Sequence, residues 1–206
     1  MLDKNPEQIL DNDLIYVEKE FLNKNLNMVL CSDVFLKSEF LNKLIDSISC
    51  PVIFLDFDLL YSGYIVSGMI KKNDRVEIHR PSKADLKKII SELAKRISKE
   101  KFLVVIDSLN GLYNIFDEKE SGRFINASLM LLSSIGIDSG SSVIITAITR
   151  KNDSGEWILS PGGSHIIDSR KSGIYHLKRI SDSLMLNSLN QVGVIEKIFK
   201  INHSNF

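Results

Sequence analysis

An α/β fold with a mainly parallel central sheet is predicted by two features of this chain. Short, continuous apolar runs recur at residues 27–30, 52–57, 102–106 and 142–148. Runs of this length with no polar alternation suit strands buried on both faces of a parallel sheet. Between them lie stretches with helical periodicity, so strands and helices alternate, and parallel strands joined this way need right-handed crossovers. A third observation bounds the parallel part. From about Gly173 the helical pattern fades, and 173–177, 184–187 and 195–201 read as antiparallel strands added at one edge.

Taken in order, about 26 residues precede the first strand and read as an N-terminal helical extension. The first helix is expected from Val34 or Ser38 to Ile48. The clearest helix spans 84–99. Leu86, Ile89, Ile90, Leu93, Ala94 and Ile97 form one apolar stripe in it, and Ser82 with Asp85 three residues on resembles a capping box. A third helix is expected over 122–135. After the fourth strand comes a polar loop, 150–157, holding Arg150, Lys151 and Trp157. Pro161-Gly162-Gly163 and a short helix, 164–169, follow. With 206 residues, one domain is expected: the extension over 1–26, a parallel core over 27–170 and edge strands over 171–206.

Charge narrows the function classes. The chain carries 26 basic and 26 acidic residues, so no global field argues for nucleic acid. The distribution is uneven: residues 71–101 hold eleven Lys/Arg against five Asp/Glu, and the first twenty lean acidic. Lys87, Lys88, Lys95 and Arg96 on the 84–99 helix read as a solvated face. Cys31 and Cys50 show neither metal spacing nor a disulfide framework, which suits a reducing, cytoplasmic setting. His79, His165, His176 and His203 lack zinc-ligand spacing. Tyr61 and Tyr64 read as core or interface residues. No apolar run approaches the roughly 20 residues of a membrane span.

The chemistry-bearing segment is a broken phosphate loop. The pattern G-x-x-x-x-G-K-[ST] between a strand and a helix binds phosphate through backbone N–H groups, with the lysine on the outer phosphates and the hydroxyl on Mg²⁺. Residues 31–38 keep Lys37 and Ser38 but place Cys31 and Leu36 where glycines belong. Asp33 is a good N-cap, so the helix is free to start there and absorb the loop, setting a carboxylate against the phosphate position. The plainer reading is a helix start with an ordinary surface Lys-Ser pair.

Two strands end in carboxylates. Phe102-Leu-Val-Val-Ile-Asp107 reads as a Walker B strand whose carboxylate reaches Mg²⁺ through water; its plainer reading is a buried strand with an aspartate capping the next turn. Val52-Ile-Phe-Leu-Asp56-Phe-Asp58 offers a carboxylate able to orient an attacking water; its plainer reading is a strand end with solvated acids.

These stations, in this order, resemble the core of the RecA/RadA-type recombinases, the P-loop ATPase branch that includes KaiC-like proteins. The stations are Lys37-Ser38, Asp56-Phe57-Asp58, Val104-Val-Ile-Asp107-Ser108 and Pro161-Gly162-Gly163. The resemblance runs from about Asn27 to the C-terminus and implies a three-layer α/β/α domain. It implies Asp58 and Asp107 as catalytic residues, Lys37 and Ser38 as nucleotide-binding residues, and Ser38 with Asp107 as Mg²⁺ ligands wherever nucleotide binds. The family's water-activating Glu is aspartate here. ATP and Mg²⁺ are the implied cofactors, and a closed loop would take neither. The family's two DNA loops correspond to 111–123 and 150–162, with Arg150, Lys151 and Trp157 meeting single-stranded DNA. The function so implied is that of a RadA-like paralogue in recombination or repair with weak or absent ATP hydrolysis, binding DNA, RecA-fold partner subunits or itself. Two alternatives stay open: a DNA-dependent ATPase with an atypical loop, and a non-catalytic ring subunit of an Elongator-like or KaiC-like assembly. On the hydrolysis-poor reading, Lys37→Ala is expected to leave stability nearly unchanged.

Overall fold

A computed structural model describes residues 8–11, 14–116, 121–151, 157–159, 172–190 and 193–202. Its strands are β1 (Gln8–Asp11), β2 (Leu26–Cys31), β3 (Val52–Asp56), β4 (Val76–His79), β5 (Leu103–Asp107), β6 (Ser142–Lys151), β7 (Trp157–Leu159), β8 (Ser172–Ile180), β9 (Ser183–Leu189) and β10 (Ile195–Asn202). Its helices are α1 (Leu14–Leu22), α2 (Val34–Ser47), α3 (Leu60–Val66), α4 (Leu86–Ile97), α5 (Leu109–Asn114) and α6 (Ser121–Ser139).

The strands form one sheet in the order β1-β10-β9-β8-β2-β6-β5-β3-β4, with β7 paired to β6. From β8 to β4 every neighbouring pair is parallel. β9 runs antiparallel to both β8 and β10, and β1 lies parallel to β10 at the far edge. The expected α/β architecture, a mainly parallel sheet with antiparallel strands at the C-terminal edge, is therefore present.

Strand pleating builds the three layers. In β5, Leu103 and Val105 point to one face and Val104 and Ile106 to the other. The first face packs on α1, α2 and α3 through Phe21, Phe40, Leu41, Leu44 and Tyr61. The second packs on α4, α5 and α6 through Leu86, Leu93, Leu112, Leu129 and Leu132. Tyr61 lies in the core, its ring stacked on Phe54 at 4.2 Å between centroids, and Tyr64 meets Phe35 edge-on.

The boundaries differ from expectation at identifiable places. α4 is shorter than 84–99. Asp85, rather than Ser82, stands at its N-cap, and Asp85 Oδ1 accepts from the Ser82 amide at 2.6 Å, the backward-reaching half of a capping box. α6 is longer than 122–135 and ends where Gly140 takes a left-handed φ of 70°. The segment 111–123 is not one loop: it opens inside α5 and ends inside α6, with 117–120 outside the described residues. The segment 150–162 is not one loop either, because Lys151 ends β6 and pairs with Trp157 at the start of β7. Residues 160–171, which hold Pro161-Gly162-Gly163 and the expected helix at 164–169, lie outside the described residues. The expected N-terminal extension carries a strand, β1, as well as the helix α1.

Candidate functional site

The expected site residues Lys37, Ser38, Asp58 and Asp107 gather at the C-terminal ends of β2, β3 and β5, where parallel α/β sheets bind ligands. Register places the two carboxylate strands side by side, with Asp56 opposite Asp107. Both residues fall on the α2 side of the pleat, because Val52, Phe54, Leu103 and Val105 before them do.

The chain from β2 into α2 holds no open loop. Asp33 has extended backbone and caps α2, its Oδ1 accepting from the amides of Phe35 at 2.8 Å and Leu36 at 3.0 Å. The helix begins at Val34, the earlier of the two starts the sequence allows. Two amides at its N-terminus are thus occupied by the protein's own carboxylate. Cys31 is a buried strand residue and Leu36 a buried helix residue, so neither stands in for a flexible glycine. Burial pushes the Cys31 thiol up to about 12, leaving it an inert packing group. Ser38 Oγ donates back to the Val34 carbonyl at 3.0 Å.

Lys37 is the centre of the arrangement and is 0 % exposed. It shares a helix stripe with Leu41 and Leu44, four and seven positions on, both buried against the sheet. Its ammonium lies 2.6 Å from Asp107 Oδ1 and 3.0 Å from Asp58 Oδ2. This overturns the plainer reading of Lys37 as a surface lysine. It also argues for a destabilising Lys37→Ala in place of the nearly neutral one expected, since truncation would leave the fully buried Asp107 without its cation.

Each carboxylate is held from behind. Asp107 Oδ1 also accepts from the Thr146 hydroxyl on the neighbouring strand. The Asp107 carbonyl accepts from the amides of Phe57 and Asp58, drawing the turn after β3 over the end of β5. That turn passes through Leu59 with left-handed φ of 59°, and the Asp107–Ser108 peptide is cis. Ser108 caps α5 by accepting from the Gly111 amide. Gly111 then passes so close that an added Cβ would collide with Asp58 Oδ1 and stand 2.8 Å from Phe57 Cβ. Asp56 Oδ2 accepts from the Ser62 amide at 2.8 Å in α3.

The electrostatics follow from this packing. Burial alone would pull the Lys37 ammonium down, but the Asp107 and Asp58 carboxylates outweigh it and hold Lys37 above the ordinary lysine value. Burial pushes the Asp107 carboxyl above the ordinary carboxylate range, against the pull of Lys37 and of the Thr146 hydrogen bond. One cation therefore faces two carboxylates, with Asp56 close by, a set that repels phosphate. Asp107 Oδ2 and Asp56 Oδ1 are buried and have no hydrogen-bond partner among the described residues.

These residues, as arranged, do not fit a nucleoside triphosphate with Mg²⁺. The lysine is spent on the chain's own carboxylates, the serine on a carbonyl and the capping amides on Asp33. Lys37, Asp58 and Asp107 are brought together as the motif order implies, and Ser38, next to Lys37 in the helix, gives its hydroxyl to the Val34 carbonyl. Arg150, Lys151 and Trp157 lie on the β6–β7 hairpin, beyond Thr146 in the strand direction. Thr146 and Gly111 escaped the sequence reading. Thr146 did carry a signal, one hydroxyl inside the apolar run of β6, where a buried polar group calls for a partner. Gly111 carried none, since only the fold brings it to Asp58.

No protein-family model and no curated protein matches this chain. Solved structures do match, among them that of the RadB recombinase, at 13% identity over 85% of this chain and 86% of that one, with a TM-score of 0.59. The likeness establishes a RecA-like α/β fold. Among the described residues no helix is long and apolar enough to cross a membrane.

Proposed function

We propose that this chain is a RecA-fold accessory protein of DNA recombination or repair that does not hydrolyse ATP and acts by binding DNA or RecA-fold partner subunits. The observation that carries the non-hydrolytic part is the ion-pair cluster of Lys37 with Asp58 and Asp107, backed by the Asp33 cap. In this reading Lys37 neutralises the protein's own carboxylates in place of phosphate. Asp58 and Asp107 act as its counter-ions rather than as water activator and Mg²⁺ ligand. The recombination setting is supported by the shared fold with a recombinase, and the cytoplasm is the compartment where the two free thiols stay reduced. Arg150, Lys151 and Trp157 supply phosphate contact and base stacking to single-stranded DNA from the β6–β7 hairpin.

Calorimetric titration of the purified protein with Mg-ATP tests the reading. The expected result is no heat of binding at millimolar nucleotide and no phosphate release with or without DNA. Micromolar binding that disappears in Lys37→Ala, in a protein shown to remain folded, would establish an atypical working ATPase instead. For the hairpin, Arg150→Gln with Lys151→Gln is expected to weaken single-strand binding and flatten its salt dependence by about 0.7 per lost contact. An unchanged slope would remove the hairpin from the DNA path.

A further inference from the structure

We propose that the outer face of α4 is a second, sequence-independent docking surface for the phosphate backbone of nucleic acid, separate from the strand-end cluster and from the β6–β7 hairpin. Residues 83–101 carry seven lysines and arginines against three carboxylates, in a chain whose net charge is zero. The positive excess is thus local, and the rest of the chain is net negative.

The helical period sorts these charges. Leu86, Ile90, Leu93 and Ile97 are buried against the sheet, while Lys87, Lys88, Lys95 and Lys99 stand exposed on the opposite side. Nearby carboxylates do not cancel them. Asp85 is turned back onto the Ser82 amide, Glu92 reaches only Lys88 at 3.9 Å, and Glu77 of β4 is taken by Arg96 at 2.8 Å. Glu100 stands beside Lys99 and Lys101 in sequence. Even so, among the described residues Lys87, Lys95, Lys99 and Lys101 have no carboxylate within ion-pair distance. α6, packed alongside α4, adds Arg123 near its start and Asp138 near its end, both exposed, and sets the Phe124 ring 5.9 Å from the Lys87 ammonium.

Geometry and composition favour a polyphosphate over other anionic partners. Lys87 to Lys95 spans about 12 Å of α4, the axial length of about three to four phosphates on one duplex strand, and Lys99 in the turn after the helix extends the row. The exposed positions between the lysines are Ser91, Glu92 and Ser98, without the large apolar residues that insert into a membrane or form the core of a protein interface. None of these exposed positions is aromatic, and Phe124 beside Lys87 is half-buried, so the surface holds a backbone without reading sequence.

The test is fluorescence anisotropy of labelled single-stranded and duplex oligonucleotides between about 50 and 200 mM salt. Wild-type protein is compared with Lys87→Gln/Lys88→Gln/Lys95→Gln/Lys99→Gln and with Arg150→Gln/Lys151→Gln, and circular dichroism checks each fold. The expected result is that the fourfold variant loses at least about 100-fold in duplex affinity at low salt, with its salt slope flattened by about 3 to 4. The hairpin variant keeps the duplex slope. Three results would overturn the proposal: no duplex binding by the wild type at the lowest salt, an unchanged slope in the fourfold variant, or capture by anionic lipid vesicles without any binding to nucleic acid. Micromolar Mg-ATP binding would sink the non-hydrolytic reading and leave this surface standing; failure of the α4 lysines would do the reverse.

Discussion

Lys37 and the lysines of α4 sit on opposite faces of the same sheet and carry the same ammonium group, yet their surroundings give them opposite roles. Lys37 replaces an apolar residue on the buried stripe of α2 and is enclosed by Asp58 and Asp107. Lys87 and Lys95 lie on the outer stripe of α4 and Lys99 in the turn after it, where solvent screens them. A buried charge is costly unless paired, so the fold depends on the partners of Lys37. An exposed charge contributes little to stability and is free to meet a partner. Lysine content in a sequence therefore says little until each lysine is assigned to a stripe.

The largest expected effect lies on the buried side. Lys37→Met should cost about 3 to 5 kcal/mol at neutral pH, measured by chemical denaturation. The pH dependence follows from Asp107. Its folded carboxyl already lies above the ordinary carboxylate range, so its contribution is present below the unfolded value of 3.8 and is lost as pH rises through the raised folded value. Without Lys37 that raised value climbs further. The deficit of the variant should therefore be greatest at neutral pH and shrink toward acid. In the wild type, Lys37 has a raised folded value, so its contribution is full below 10.5 and is lost only as pH rises through that higher value.

Next comes Gly111→Ala, which should cost about 1 to 3 kcal/mol, because the new methyl collides with Asp58 and Phe57. If this variant is neutral, the close passage of α5 does not position Asp58. Asp33→Ala should lower stability by about 1 kcal/mol through loss of the α2 cap. It also offers a sharper comparison, because it frees the amides that a phosphate would need. Gain of Mg-ATP binding in Asp33→Ala would mean that the cap, and not Lys37, closes the site. The smallest effect belongs to Lys95→Gln with Lys99→Gln, expected within about 0.5 kcal/mol of the wild type in a denaturant melt. A larger loss would mean that these lysines hold the fold and are not a free surface.

The parts of the molecule legible in the sequence are those where one residue type decides the outcome locally. The apolar runs of β2, β3, β5 and β6 announced the parallel core, and Asp33 announced the true start of α2. The short elements β4, α3 and α5 were not legible, because runs of four to seven residues carry too little periodicity. The carboxylates after β3 and at the end of β5 were legible because each closes an apolar run, so the strand alone sets it at the C-terminal end of the parallel sheet. The burial of Lys37 was not, since a lysine in a helix reads as solvated until its counter-charges are located 21 and 70 residues away in sequence. Thr146 and Gly111 belong to the same class, each defined by a neighbour that only the folded sheet supplies.

The central claim is that Lys37 serves as the internal counter-ion of Asp107 and Asp58. A double-mutant cycle between Lys37→Met and Asp107→Asn, read by denaturant unfolding at neutral pH, tests it most directly. The account predicts that the double variant is more stable than Lys37→Met alone, with a coupling of about 2 kcal/mol or more. Additive losses, or a Lys37→Met protein as stable as the wild type, would contradict it.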